Sequence, residues 1–319
     1  MIRRIFTLIL AAALLLAPLA LAEDAAVKVG ALKGPTAMGM VKMMKDNSDA
    51  YAFTLAAAPD EIVPKIVKGE VDIAAMPANL AAVLYNNTNG AVRVLNINTL
   101  GVLYIVERGD TVHSVADLKG RTLYTAGKGA TPEYALNYIL KGNGLDPEAD
   151  LTIEFKSEHA ECLAALLQDD SAVAMLPQPF ATVAQAKAED LRIALDLNEA
   201  WDALQAGAEN PSALITGVAV ARADFIEQRP EAVAQFLADY AGSVDFVNAN
   251  NADAAQLIGE FDIFEAGPAQ KALPYCSITF IAGEEMRTLL SGYLAELYEQ
   301  DPAAVGGALP EDALYFVAE

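Results

Sequence analysis

Between Val27 and Ala188 the chain runs twice through one alternation, in which short segments of β-branched and apolar residues are followed by segments of helical period. Few folds accommodate this. Strands separated by helices in one sheet must lie parallel, joined by right-handed crossovers. In the first run Val27 to Leu32, Tyr51 to Ala56 and Val71 to Ala75 read as strands, with helices from Thr36 to Lys45, Pro59 to Lys68 and Ala78 to Tyr85. In the second run a strand ahead of Gly127 is followed by a helix opening near Thr131. Strands at Leu151 to Phe155 and Ala172 to Leu176 and helices at Ala160 to Gln168 and Phe180 to Ala188 complete it.

The segment between the two runs decides how they are connected. Val92 to Val106 is a long apolar stretch interrupted at Asn96, Asn98 and Gly101, suited to carrying the chain from one sheet to a neighbour. Ala213 to Val220 reads as the strand leading back. Pro230 to Asn248 reads as an amphipathic helix, with Val233, Phe236, Tyr240, Val244 and Val247 at helical spacing. The expected fold class is α/β, with two open lobes joined by a two-strand hinge. Residues 23–105 and 217–319 form one lobe, 106–216 are inserted as the other, and a cleft lies between them. Hinged lobes close on ligands.

The start of the chain places it outside the cytoplasm. Arg3 and Arg4 precede an apolar run from Ile5 to Leu16, and Ala20-Leu21-Ala22 stands ahead of Glu23. This is the pattern of a secretory signal cleaved after Ala22, at residues 1–22. The run is shorter than the roughly 20 apolar residues an anchor needs. No cysteine follows it, so a lipid anchor is not expected there. Loss of that segment takes two arginines and no acid from the full-length charge of −22, leaving 19 basic against 43 acidic side chains and a net charge of −24. So acidic a surface argues against nucleic acid and anionic lipid as partners. Cys162 and Cys276, the only cysteines, fall in different expected lobes, where a disulfide would lock the cleft. Two small buried residues is the preferred reading.

Ligands in open α/β sheets sit outside the carboxyl ends of the strands. In the first lobe this rule selects Lys33, Gly34, Pro35, Thr36 and Met38, then Pro77, Ala78 and Asn79. In the second it selects Thr125, Gly127, Lys128, Gly129, Ala130 and Thr131, then Glu158 and His159, and then Gln178 and Pro179. Asn98 and Thr99 are weaker candidates from the connecting stretch. Gly34-Pro35-Thr36 and Gly129-Ala130-Thr131-Pro132 each open a helix, so each lobe would offer hydroxyls, N–H groups and a positive helix end. Lys33 and Lys128 flank these loops and could attract an anion, whereas Glu158 would favour an amine. His113 and His159 have no metal partner at useful spacing, and no nucleophile with its base, no P-loop and no nucleophile elbow occurs. No metal, cofactor or catalytic residue is expected.

The run A-D-L-K-G-R-T-L-Y-T-A-G-K-G-A-T-P from Ala116 resembles the opening of the second lobe in the substrate-binding proteins of ABC importers, in the group that takes nitrate, sulfonates, taurine and thiamine precursors. D-L-N-E-A-W (Asp196 to Trp201) and D-P-A-A-V-G-G-A-L-P-E-D-A-L-Y-F (Asp301 to Phe316) are similar to the middle and end of one bacterial branch. The resemblance implies a type II periplasmic binding fold and a monomer that captures a small organic solute and hands it to a permease with its ATPase. It points to the same loops and sets Glu158 and Gln178 at cleft positions. Two alternatives stay open: an enzyme using the same cleft, since the superfamily includes pyrimidine synthases and lyases, and a sensory receptor. Sulfonates, thiamine-pathway pyrimidines and small acids or amines all remain compatible as ligands, although few bases argue against a small tetrahedral oxyanion.

Overall fold

The two runs of alternation fold into two sheets of one design. The computed structural model describes residues 25–208 and 211–318; the expected signal at 1–22 and its cleavage after Ala22 lie outside the described residues. The first sheet starts with β1 (Val27–Leu32), α1 (Pro35–Met38), α2 (Val41–Asp46), β2 (Tyr51–Ala56), α3 (Pro59–Val67), β3 (Ile73–Pro77), α4 (Ala78–Asn87) and β4 (Val92–Leu100). The second sheet takes β5 (Leu103–Arg108), β6 (Thr122–Ala126), α5 (Thr131–Gly142), β7 (Thr152–Lys156), α6 (His159–Leu166), β8 (Val173–Pro177), α7 (Phe180–Lys187) and β9 (Leu191–Asp196). The chain returns through α8 (Leu197–Gln205) to β10 (Ile215–Arg222). It ends with α9 (Ala223–Gln228), α10 (Pro230–Ala249), α11 (Asn251–Glu260), α12 (Ala266–Ala272), β11 (Ile278–Ala282) and α13 (Gly283–Gln300).

Strand order is β11-β4-β10-β3-β1-β2 in the first sheet and β7-β6-β8-β5-β9 in the second. In each, three parallel strands meet one antiparallel strand that arrives from the other lobe: β10 beside β3, and β5 beside β8. The apolar stretch at Val92 is thus two strands in two sheets. They part at Gly101, where a Cβ would lie 2.6 Å from Asn198 Oδ1 and only glycine leaves room for α8.

The single helix expected from Thr36 to Lys45 is two. Gly39 is pressed against Ile278, and the first N–H groups of α2 are answered from α10, where Ser243 Oγ accepts from Lys42 N at 3.1 Å and Met43 N at 3.3 Å. The long helix α10 buries Val233, Phe236, Tyr240, Val244 and Val247 as its spacing requires, each contributing roughly 1.5–3 kcal/mol. The strands β9 and β11 have no counterpart in the sequence reading. Both are edge strands, mostly half-buried, and their pattern shows no clean alternation.

One apolar core runs from the first sheet into the second. Trp201 of α8 stands between Tyr138 of α5 and Tyr293 of α13, with ring centroids 4.1 Å and 5.5 Å away, and donates through Nε1 to Ser212 Oγ at 3.1 Å. Cys162 and Cys276 are buried free thiols. Among the described residues no helix is long and apolar enough to cross a membrane.

Candidate functional site

Loops at the strand ends of both sheets close around a cavity of about 500 Å³. From the first sheet come Lys33 to Thr36 after β1, Pro77 at the end of β3, Thr99 near the end of β4 and Thr216 near the start of β10. From the second come Ala130, Thr131 and Pro132 at the start of α5, His159 at the start of α6, and Pro177 to Phe180 between β8 and α7. A larger groove of about 660 Å³ opens elsewhere along the first sheet, lined by Lys68, Gly69, Val92 and Arg222 among others. It receives no residue from the second sheet, and Arg222 is already paired with Asp72 and Asp224. The cavity that draws on both lobes is therefore the candidate.

Local structure follows from the residues. Gly34 has φ 125°, a conformation that a side chain would strain, and α1 starts directly after it with Pro35 at its first position. In the other lobe Thr131 and Pro132 open α5 in the same manner. Gly217 lets three elements meet behind the cavity, since a Cβ there would sit 2.4 Å from Asn98 Oδ1 and 2.7 Å from Thr36 Cγ2.

Of the candidates named from sequence, Lys33, Gly34, Pro35, Thr36, Pro77, Thr99, Ala130, Thr131, His159, Gln178 and Pro179 line the cavity. Met38, Ala78, Asn98 and Thr125 have no exposed surface and face the packed interior. Asn79 stands one layer behind, accepting from Thr131 Oγ1 at 3.2 Å and donating to the Ala304 carbonyl at 3.3 Å. Lys128 and Gly129 border a separate groove of about 320 Å³ with Glu133, Lys141 and Asp301, and the Lys128 ammonium lies 5.6 Å from the Phe155 ring centre. Gly127 packs against Pro132, and the Glu158 side chain is exposed where the backbone caps α6.

The sequence reading did not select Phe180, Thr216, Ile263 or Phe264. Phe180 follows Pro177-Gln178-Pro179 directly, so extending the strand-end loop by one residue would have included it. Ile263 and Phe264 come from the link between α11 and α12, and nothing local in the sequence marks them.

The cavity is weakly charged. Among the described residues Lys33 is its one charged side chain, and its ammonium is 2.6 Å from Asp262 Oδ2, an ion pair at the surface that holds the Asp262 carboxyl below its ordinary range. Burial pushes the His159 imidazole down to about 4, so it is neutral at pH 7, and its Nδ1 is buried without a protein partner. Gln178 is 1 % exposed. Its Oε1 accepts from Thr182 N at 3.2 Å and Thr182 Oγ1 at 2.8 Å, which leaves Nε2 without a partner.

Polar and aromatic contacts tie the lobes together beside the cavity. Tyr293 OH donates to Thr131 Oγ1 at 3.4 Å, Tyr134 OH to Asp301 Oδ2 at 3.3 Å and Tyr104 OH to the Tyr275 carbonyl at 2.8 Å. Phe180 and Phe264 meet edge to face at 6.3 Å. Such a site can enclose a small molecule and hydrogen-bond to it. Among the described residues no three His, Cys, Asp or Glu side chains gather to hold a metal ion.

Comparison with known proteins agrees with this architecture. A family model described as the phosphonate periplasmic substrate-binding protein of ABC transporters matches residues 43–271. No curated protein matches the sequence. Among solved structures, an ABC transporter protein from Parabacteroides distasonis is 24% identical with a TM-score of 0.77, over 93% of this chain and 99% of that one. The periplasmic aliphatic sulphonate binding protein SsuA from Escherichia coli is 14% identical with a TM-score of 0.71, over 93% and 94% of the two chains. The alkanesulfonate-binding protein SsuA from Xanthomonas axonopodis pv. citri, bound to MOPS, is 14% identical with a TM-score of 0.64, over 92% and 97%. With the family model spanning well over half of its length, two lobes of one strand order and a cavity between them, this chain belongs to the periplasmic substrate-binding proteins of ABC transporters.

Proposed function

We propose that the cavity between the two sheets is where this ABC-transporter binding protein holds its solute, and that the lobes expected at residues 23–105 with 217–319 and at 106–216, with β5 whole in the second and β10 whole in the first, act as the two closing lobes. The observation that carries this reading is the convergence of loops from the strand ends of both sheets on one cavity of about 500 Å³, the position at which open α/β sheets take ligands. Lys33 to Thr36 and Pro77 would form one side, Ala130, Thr131, His159, Gln178 and Pro179 the other, and Phe180, Phe264 and Thr216 would complete the enclosure. The protein is exported after cleavage behind Ala22, acts as a monomer and presents its closed form to a permease and ATPase. It binds and releases its solute unchanged.

Thermal unfolding against sulfonates, pyrimidines, amides, amino acids and organic acids tests this. A solute at 100 times its dissociation constant adds about 2.7 kcal/mol to stability. One chemical class is expected to raise the midpoint saturably and to be recovered intact. In the Thr216→Trp variant, whose indole would occupy the cavity, that rise is expected to vanish. A solute that stabilises the variant as much as the parent protein, or one that is chemically altered on incubation, would refute the proposal.

A further inference from the structure

We infer that the solute of this cavity is an uncharged aromatic or heteroaromatic molecule with N–H or O–H donors and one acceptor at its polar edge, and not a phosphonate or sulfonate. This rests on the cavity being the solute site and narrows what it takes.

Among the described residues no arginine and no carboxylate lines the cavity, and its one cation, Lys33, is engaged by Asp262 at the surface. The positive ends of α5 and α6 are also answered from within. The Glu133 carboxylate accepts from Gly129 N at 2.5 Å at the start of α5, and the Glu161 carboxylate accepts from Ser157 N at 3.0 Å at the start of α6. An anion moved from water into this enclosure would lose its hydration and find no free counter-charge. The chain as a whole carries −22, which adds repulsion at the approach.

Four threonine hydroxyls line the cavity, and each has its proton committed to the protein. Thr36 donates to the Leu32 carbonyl at 2.9 Å, Thr216 to the Leu100 carbonyl at 2.6 Å, Thr99 to Asn98 Oδ1 at 3.0 Å and Thr131 to Asn79 Oδ1 at 3.2 Å. What they offer a solute is lone pairs, fewest at Thr131, whose Oγ1 already accepts from Tyr293 OH at 3.4 Å. Phosphonate and sulfonate groups also offer lone pairs, so the two would repel, whereas N–H or O–H donors fit. The Gln178 amide, fixed by Thr182, leaves its NH₂ as the buried donor that one solute acceptor would satisfy. A buried donor left without a partner is destabilising.

The Phe180 ring lies 5.7 Å from the His159 ring and 6.3 Å from Phe264, so aromatic faces and edges from both lobes border the polar end. Such a wall suits a flat ring.

Calorimetric titration with three molecules of one ring size, benzamide, benzenesulfonate and phenylphosphonate, tests the inference. Benzamide is expected to bind at least about tenfold more tightly than either anion. In Gln178→Glu, where Thr182 keeps an acceptor but the NH₂ is lost, benzamide affinity is expected to fall about tenfold, and the buried carboxylate is expected to lower the unfolding midpoint. Should that variant fold poorly, Phe180→Leu is expected to lower benzamide affinity without changing the ranking of the three. Either anion binding as tightly as benzamide, or benzamide failing to bind at about 10 mM, overturns the inference. The cavity reading falls separately: it fails if none of the three binds and the parent protein retains no more small molecule from a cell extract than Thr216→Trp.

Discussion

The side of the cavity built by the first sheet and the side built by the second share one plan, a strand end followed by a helix opening with threonine and proline, yet they are finished differently. The first carries the charge. Lys33 stands exposed at its edge and is held by Asp262 from the α11 to α12 link that overhangs it. The second is uncharged and more deeply enclosed, with His159 neutral, Gln178 buried and Thr131 tied through Asn79 and Tyr293 to the opposite lobe. Equal motifs thus acquire unlike chemistry from what packs behind them. The first side meets a surface insertion, and the second meets the interior of its partner lobe.

The largest expected difference lies in backbone room. Gly217→Val places a side chain where a Cβ is already 2.4 Å from Asn98 Oδ1 and should cost about 3 kcal/mol or more in urea unfolding. Gly129→Ala on the other side meets nothing within 4 Å and has only its φ of 73° against it, for about 1 kcal/mol. Equal losses would erase the distinction.

Next comes the buried bridge. Thr131→Val removes the donor to Asn79 and the acceptor of Tyr293, both buried, and should cost about 1–3 kcal/mol. Thr36→Val loses a single bond to the Leu32 carbonyl, for about 1 kcal/mol or less. A smaller loss at Thr131 would mean that water replaces the bridge.

A pH series separates the sides further. Burial pushes His159 down to about 4 in the folded protein, against an ordinary value near 6.5. Between those values the unfolded chain holds the extra proton, so stability is full above about pH 6.5 and is lost as pH falls toward 4. In His159→Phe the unfolding midpoint should vary less between pH 7 and 5; an unchanged slope would assign that dependence to carboxylates. Smallest of all, Lys33→Ala breaks a surface ion pair and should leave the unfolding midpoint within experimental error. A clear loss would show that the pair anchors the overhanging link.

Much of this was legible in the sequence because the strand-end rule acts through local order. Once β1, β3, β6, β7 and β8 are recognised, the loops following them are named, and many of their residues line the cavity. What was illegible depends on direction and on distance. Asn98 and Thr99 are neighbours, but the register of β4 with β10 shifts at Asn98, so the two side chains hydrogen-bond to each other; Thr99 reaches the cavity while Asn98 is fully buried behind it. Lys128, between two glycines of positive φ, turns outward toward Phe155, a choice set by turn geometry rather than by composition. Phe264 arrives from far along the chain, and only tertiary packing brings it to Phe180.

The strand order of the first sheet also governs how the molecule is assembled. Its middle strand β10 comes from residues 215–222, between β3 and β4, which are made much earlier in synthesis. A chain that stops before residue 215 leaves β3 and β4 each without the neighbour between them, whereas all five strands of the other sheet lie in one unbroken stretch from Leu103 to Asp196. The contiguous sheet can form as soon as its own residues are available, and the divided one must wait for the last third of the chain. The sheet that receives the first strands is therefore the sheet whose pairing is completed last.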